Sequence, residues 1–196
     1  GSLAFSDEFT GELTRDAGED TGTYTINQGT LSAGENYTIT YIPSNLTITE
    51  RAVTVTADSK TKTYGEADPE LTYNITSGSL ASGDGFTGEL TRDAGKDVGI
   101  YTINQGTLSA GVNYTITYIP SSLSITERAI TVTADAKTKT YGEADPELTY
   151  NITSGSLAFS DEFTGELTRD AGEDTGTYTI NQGTLSAGEN YTITYI

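Results

Sequence analysis

The feature that most restricts the fold of this chain is an internal repeat of 77 residues. The segment Phe9-Thr-Gly-Glu-Leu-Thr-Arg-Asp16 recurs at 86–93 and at 163–170, and residues 1–42 are identical to residues 155–196. A fixed period of this length predicts a tandem array of copies that share one fold. We therefore divide the chain into a first repeat, 1–50, which is the C-terminal part of one copy, a complete middle repeat, 51–127, and a third repeat, 128–196, which lacks its last strand.

Within each repeat, apolar residues alternate with polar ones. Val53 and Val55 alternate with threonines, and the same period of two continues through Tyr101 and Ile103. This pattern is typical of half-buried β-strands. It predicts an all-β module of about seven short antiparallel strands, near 52–57, 60–64, 70–75, 87–92, 99–104, 113–119 and 122–126. A small sandwich is the expected architecture, and a helical turn within 79–85 would instead give a β-grasp-like arrangement.

The phase of the alternation changes between consecutive repeats. Leu123 and Ile125 are apolar at odd positions, whereas Ile130 and Val132 are apolar at even positions. One strand in one sheet cannot carry both phases, because a shift of one residue turns every side chain to the other face. We therefore predict junctions at Glu50-Arg51 and Glu127-Arg128. These junctions contain neither Gly nor Ser, so little slack is expected between modules arranged end to end as a rod.

Composition excludes several classes of function. The chain has no Cys and no His, which removes thiolate chemistry and the commonest general base. The formal net charge of −18 argues against nucleic acid and against an anionic membrane surface. No apolar run approaches the ~18 residues of a membrane span. We expect no enzyme activity, and we predict no catalytic, cofactor-binding or metal-binding residue.

Three features of the sequence resemble binding sites. Acidic loops at 6–8 and 16–20 have the carboxylates that Ca²⁺ prefers, but the middle repeat replaces two of those acids with Gly85 and Lys96. Tyr114 and Tyr118 share a strand face and suit either a carbohydrate platform or a half-buried core. The two Tyr-Gly-x-x-Asp-Pro segments, 64–69 and 141–146, are predicted to be turns, with Gly at positive φ and Asp bonded to nearby backbone. Carbohydrate or Ca²⁺ binding therefore stays the alternative function, with no cofactor as the first expectation.

The expected partners are the neighbouring repeats. Unpaired strand edges beside the incomplete copies also predict end-to-end association of separate chains by strand donation.

Five short motifs of the middle repeat occur in a fixed order: Val53-Thr-Val-Thr-Ala57, Lys62-Thr-Tyr-Gly-Glu-Ala-Asp-Pro69, Gly99-Ile-Tyr-Thr-Ile103, Asn113-Tyr-Thr-Ile-Thr-Tyr118 and Leu123-Ser-Ile-Thr126. This set resembles the MBG-type domains, which form long tandem arrays in large extracellular, adhesin-like bacterial proteins. The resemblance implies a secreted β-rich module at the cell surface with a stalk-like structural role, and it implies no catalytic residue.

Overall fold

The computed structural model describes residues 1–196 and contains fifteen β-strands and no helix. The strands are β1 Thr14–Arg15, β2 Gly22–Asn27, β3 Ser44–Ile48, β4 Arg51–Ala57, β5 Lys60–Thr63, β6 Tyr73–Ser77, β7 Thr91–Arg92, β8 Gly99–Asn104, β9 Tyr114–Ile119, β10 Ser121–Thr126, β11 Arg128–Ala134, β12 Tyr150–Ser154, β13 Thr168–Arg169, β14 Ile180–Asn181 and β15 Tyr191–Tyr195. The all-β class predicted from the alternating pattern is confirmed.

The strands belong to two compact units whose limits do not follow the 77-residue period. The first unit comprises Gly1–Val55, Ile75–Gly88 and Thr107–Ile119, and the second comprises Thr56–Asn74, Glu89–Gly106 and Pro120–Ile196. Each unit therefore combines one part of the middle repeat with a neighbouring repeat. The predicted repeat boundaries remain a sequence-based division.

The first unit is built on the antiparallel sheet β1-β2-β3, in which Gly22 pairs with Ile48 and Ile26 with Ser44. The unit also contains all of β9 and most of β4, which are neighbours in the sheet β6-β4-β9.

The second unit contains the four-stranded sheet β5-β10-β8-β7, the three-stranded sheet β12-β11-β15 and the two-stranded sheet β13-β14. Two pairs of strands in it are parallel, β10 with β5 and β11 with β15. The predicted antiparallel pairing therefore does not extend to these two pairs. A parallel pair needs a long crossover connection, and here the connections from Thr63 to Ser121 and from Ala134 to Tyr191 pass through other strands of the same repeat.

The change of phase at Glu127 separates two strands in two different sheets. Leu123 and Ile125 are buried on β10, and Ile130 and Val132 are buried on β11. Only Glu127 lies between the two strands. The interpretation that a single strand could not carry both phases is confirmed.

The segment 79–85 contains no helical turn. It has a reverse turn at Ser82 and Gly83, in which the Asp84 amide donates to the Ala81 carbonyl oxygen at 3.1 Å. The helical element on which the β-grasp-like alternative depended is not formed, because Ser and Gly favour tight turns over helix.

Candidate functional site: the joint between repeats

The Tyr-Gly turn follows β5 and is fixed by its own polar residues. The Glu66 amide donates to the Thr63 carbonyl oxygen at 3.1 Å, and the Glu66 carboxylate accepts from the Thr63 amide at 2.9 Å. Gly65 has φ of +84°, so the predicted turn with a left-handed glycine is confirmed.

Asp68 has a different role from the one predicted. Its carboxylate accepts from the Lys62 ammonium at 2.7 Å and from Arg92 Nε at 2.8 Å, rather than from nearby backbone. These two donors hold the pKa of Asp68 below its ordinary value. Asp68 therefore ties the turn to β7, which carries Arg92.

The side chain of Tyr64 is buried against the third repeat. It is 1% exposed, and its ring meets the rings of Phe159 and Tyr191 edge-on, with centroid distances of 5.5 and 5.4 Å. Edge-to-face geometry is favourable because the positive edge of one ring faces the negative face of the other. Tyr64 thus belongs to the middle repeat by sequence and to a shared aromatic cluster by position.

The hydroxyls of this cluster converge on Asp161. Tyr191 donates to the Asp161 carboxylate at 2.6 Å and Tyr64 donates to it at 3.0 Å, while the Ala158 amide donates to the Tyr191 hydroxyl oxygen at 2.7 Å. Burial, together with the hydrogen bond and the charge of Asp161, raises the pKa of Tyr64 to about 12. The same two phenols lower the pKa of Asp161. The cluster is therefore fully hydrogen-bonded at neutral pH, with Asp161 ionised and both phenols protonated.

Gly65 allows the two repeats to approach closely. A Cβ atom at this position would lie 2.4 Å from the Cβ of Ala158. Next to it, Arg128 Nη1 donates to the Tyr64 carbonyl oxygen at 3.3 Å, and the same guanidinium is held by the carbonyl and hydroxyl oxygens of Ser156. Only glycine fits between Tyr64 and the 156–158 segment, since any side chain would push Ala158 away.

A second contact is made by the amide side chain of Asn190. Its Oδ1 accepts from the Val98 amide at 2.8 Å and its Nδ2 donates to Asp97 at 3.0 Å, while its backbone oxygen accepts from the Arg128 amide at 2.9 Å. We call these contacts the Asn clamp, and we call the contacts between two consecutive repeats a joint; the joint in the second unit also includes the cluster around Tyr64. One residue here bonds to both the preceding repeat and the start of its own.

The same Asn clamp occurs within the first unit. There Asn113 Oδ1 accepts from the Thr21 amide at 2.8 Å, its Nδ2 donates to Asp20 at 2.8 Å, and its backbone oxygen accepts from the Arg51 amide at 2.9 Å. A threonine after each clamp also contacts the glutamate at each junction, Thr115 with Glu50 and Thr192 with Glu127. Both transitions between repeats therefore share the Asn clamp and the threonine–glutamate contact.

Comparison with known families gives a match over nearly the whole chain. The model of the MBG domain (YGX type) matches residues 1–47, 53–124 and 130–196. The chain belongs to the MBG family. No curated protein and no solved structure matches it.

In the third MBG repeat, the Tyr-Gly turn has no repeat docked on it. Tyr141 is 71% exposed, and nothing lies within 4 Å of a Cβ placed on Gly142. Beside Tyr141 is a cavity of about 350 Å³ lined by Lys139, Leu148 and Ile180 among others. The turn itself persists, because Asp145 binds Lys139 at 2.7 Å and Arg169 at 2.8 Å, which lower the pKa of Asp145 to about 2.

The acidic loops of the MBG repeats serve local structure. The Asp16 carboxylate accepts from the Asn27 amide group at 2.9 Å and from the Thr25 amide at 3.2 Å, and these bonds lower its pKa. Asp7 accepts from the Tyr37 hydroxyl at 2.7 Å. No group of three acidic side chains converges anywhere in the chain. The structure does not bring the candidate calcium ligands of the two loops together.

The tyrosines considered as a carbohydrate platform are half-buried. The Tyr114 hydroxyl accepts from the Ala81 amide at 2.8 Å and donates to Asp84 at 2.5 Å. Burial raises the pKa of Tyr118. Equivalent hydroxyl bonds hold Tyr37 in the first repeat and Tyr191 in the third. These tyrosines fix the turn that precedes each Phe-Thr-Gly-Glu segment.

Sequence reasoning treated Tyr64 as a turn residue and Asn113, the counterpart of Asn190, as the first residue of a strand. Neither has a local pattern that marks a contact with another repeat. The signal that was present is the position of the differences between copies: Glu19, Lys96 and Val112 lie beside the clamp residues Asp20, Asp97 and Asn113.

Proposed function

We propose that this MBG array is a mechanical spacer of a bacterial surface or extracellular protein, and that it performs no catalysis. The observation that carries the proposal is the joint, which occurs with the same Asn clamp at both transitions between repeats. A stalk must transmit force between neighbouring modules and keep their relative orientation fixed. A hydrogen-bonded joint meets this requirement, whereas a flexible linker does not.

The backbone at the joint leaves little freedom. The Tyr64 amide donates to the carbonyl oxygen of Thr126, the last residue of β10. The amide of Arg128, the first residue of β11, donates to the Asn190 carbonyl oxygen. Both residues that flank Glu127 are thus bonded to strands or turns on either side. This supports a stiff succession of modules.

The chemistry of the chain supports a structural function over the alternative of carbohydrate or Ca²⁺ binding. The acidic and aromatic residues considered as ligands are engaged in turns and in the joint. Localisation at the bacterial cell surface rests on the family, whose repeats occur in extracellular proteins. The structure contains no helix that is long and apolar enough to cross a membrane.

We also propose that separate chains can associate by strand donation. Residues 22–27 form a six-residue strand paired with β3, whereas the identical residues 176–181 form only the two-residue β14. The open edge at 176–179 suits a strand such as Ser121–Thr126, which pairs with β8 in the middle repeat. Sedimentation velocity over a range of concentrations should show dimers that a Pro120–Glu127 peptide suppresses. A monomer at every concentration would contradict this proposal.

Small-angle scattering of chains with two, four and six complete repeats tests the spacer function. A module of this size has a radius of gyration of about 11–12 Å, so each repeat should add about 30–40 Å to the maximum dimension. Equal increments are expected. Increments that shrink toward those of a flexible coil, or a compact particle of constant length, would overturn the proposal. Asn→Ala variants of every Asn clamp provide the matched control and should shorten the particle.

A further inference from the structure

Some of the sequence differences between repeats lie where repeats meet. Residues 1–50 and 78–127 align without a gap, and Phe5, Glu19 and Thr21 correspond to Ser82, Lys96 and Val98. In the first unit, the Thr21 hydroxyl lies 3.3 Å from the Val112 carbonyl oxygen across the clamp. In the second unit, the Val98 amide is bound by Asn190. Some positions that vary between otherwise near-identical copies thus lie at contacts between repeats.

The joint in the second unit contains a contact that depends on two of these variable positions. The Lys96 ammonium lies over the ring of Phe159 at 5.0 Å from its centroid. That ring also packs against Tyr64. A cation over the negative face of an aromatic ring is attracted to it, and the attraction at exposed sites is modest but specific for sign.

The turn presents its phenylalanine before any repeat docks on it. Phe159 has φ of +52°, and Phe5, whose side chain is fully exposed, has φ of +55°. In the middle repeat the turn sequence is Ser82-Gly83, and the positive φ falls on Gly83 instead. Positive φ is unusual and strained for a bulky residue. The Phe-Ser turn and the Ser-Gly turn therefore differ in backbone conformation as well as in sequence.

The charge around the joint favours a cation at position 96. Asp97, which follows Lys96, lines a cavity with Glu189, and Asp161 is bonded to Tyr64 and Tyr191 beside the Phe159 ring. The positive charge of Lys96 is one of the influences that lower the pKa of Asp161. The first and third repeats have Glu19 and Glu173 at the corresponding position. A glutamate at 96 would place a negative charge near Asp161 and above the negative face of the Phe159 ring.

We propose that the residues at positions 96 and 159, and at the equivalent positions of other repeats, determine which repeat can follow which. A repeat with Lys at the position of Lys96 accepts a following repeat with Phe at the position of Phe159. A repeat with Glu at the first position accepts a following repeat with Ser at the second. The partner of this surface is thus a second MBG repeat of defined type. Repeats that carry Phe and Glu at these positions, like the first and third, should therefore alternate along the array with repeats that carry Ser and Lys, like the middle repeat. The proposal deepens the spacer function by specifying the order of modules, and its test measures opening of one joint and does not depend on the shape of the array.

Amide hydrogen exchange measured by NMR on the full chain tests the proposal, because the Val98 amide is bonded only across the second joint and the Thr21 amide reports on the first joint in the same molecule. Lys96→Glu should speed exchange of the Val98 amide by about 3- to 10-fold, as expected for the loss of a cation–π contact and the gain of repulsion. Thr21 should not change. Lys96→Glu combined with Phe159→Ser recreates the residue pair of the first joint and should return Val98 to within about twofold of its original rate.

Lys137→Glu is the matched control, because it makes the same change of net charge at an exposed position away from the joint and should leave Val98 unaffected. Asn190→Ala gives the rate for an amide without its acceptor. Equal acceleration of Val98 by Lys96→Glu and by Lys137→Glu would overturn the proposal, as would a double variant that exchanges as fast as Lys96→Glu alone. If scattering disproved the spacer while Val98 followed the expected pattern, the selection of neighbours would still stand.

Discussion

Tyr64 and Tyr141 occupy the same position in the identical hexapeptide Tyr-Gly-Glu-Ala-Asp-Pro, yet one is 1% exposed and the other is 71% exposed. The difference arises because the next repeat covers Tyr64 and nothing covers Tyr141. Tyr64→Ala should therefore destabilise the second unit by about 3–5 kcal/mol, the usual cost of removing a buried aromatic side chain. Tyr141→Ala should stay within about 0.5 kcal/mol of the unmodified chain. Urea denaturation followed by circular dichroism measures both, and equal losses would show that Tyr64 does not stabilise the joint.

Gly65 and Gly142 form a second matched pair of residues. Their φ angles are +84° and +87°, so Ala should cost about 1–2 kcal/mol of backbone strain at either position. Only at Gly65 would the new Cβ approach Ala158, to 2.4 Å. Gly65→Ala should therefore cost about 1–3 kcal/mol more than Gly142→Ala, as overpacked sites do. Denaturation of the two variants under the same conditions isolates the packing contribution of the joint. A difference near zero would mean that the 156–158 segment yields without cost.

At the scale of the element, the turn between residues 139 and 146 is held by a carboxylate with a depressed pKa. Lys139 and Arg169 lower the pKa of Asp145 to about 2, from about 3.9 in an unfolded chain. A depressed carboxyl pKa stabilises the fold above the unfolded value, and this contribution is lost as the pH falls from about 4 to about 2. NMR titration of the Asp145 carboxyl carbon should give a midpoint near 2. Lys139→Met should raise that midpoint, and an unchanged midpoint would assign the shift to Arg169 alone.

The strands show how far sequence could lead. Val53 and Val55, like Leu123 and Ile125, alternate with polar residues. This alternation was sufficient to predict strands and their buried faces, because it is a local property of a strand. Strand length was not predictable in this way. Residues 22–27 and 176–181 have the same sequence, but the first segment forms a six-residue strand that pairs with β3 and the second forms a strand at only two residues. The length of a strand depends on the strand with which it pairs, and that strand is remote in sequence.

The candidate site was less predictable than the fold for the same reason. Tyr64 contacts Phe159, Tyr191 and Asp161, which all lie more than one repeat further along the chain. Periodicity says that copies are alike, but it does not say which surfaces of two copies meet. The cluster of differences at Lys96 and Val98 was visible in the sequence, and the structure was needed to place it at a joint and not in a free turn.

At the scale of the whole molecule, the net charge of −18 should control stability through repulsion among the acidic side chains. Raising NaCl from about 10 to about 150 mM shortens the Debye length from about 30 to about 8 Å, so the Tm should rise. CaCl₂ should have no effect beyond that of MgCl₂ at the same ionic strength, because the acidic side chains do not converge in groups of three. A specific site would behave differently, since a ligand at 100 times its Kd stabilises the folded state by about 2.7 kcal/mol. Thermal melts in EDTA, MgCl₂ and CaCl₂ make the distinction. A Tm that rises with Ca²⁺ alone would mean that specific binding, and not charge screening, causes the stabilisation. This result would favour the calcium-binding alternative over a purely mechanical array.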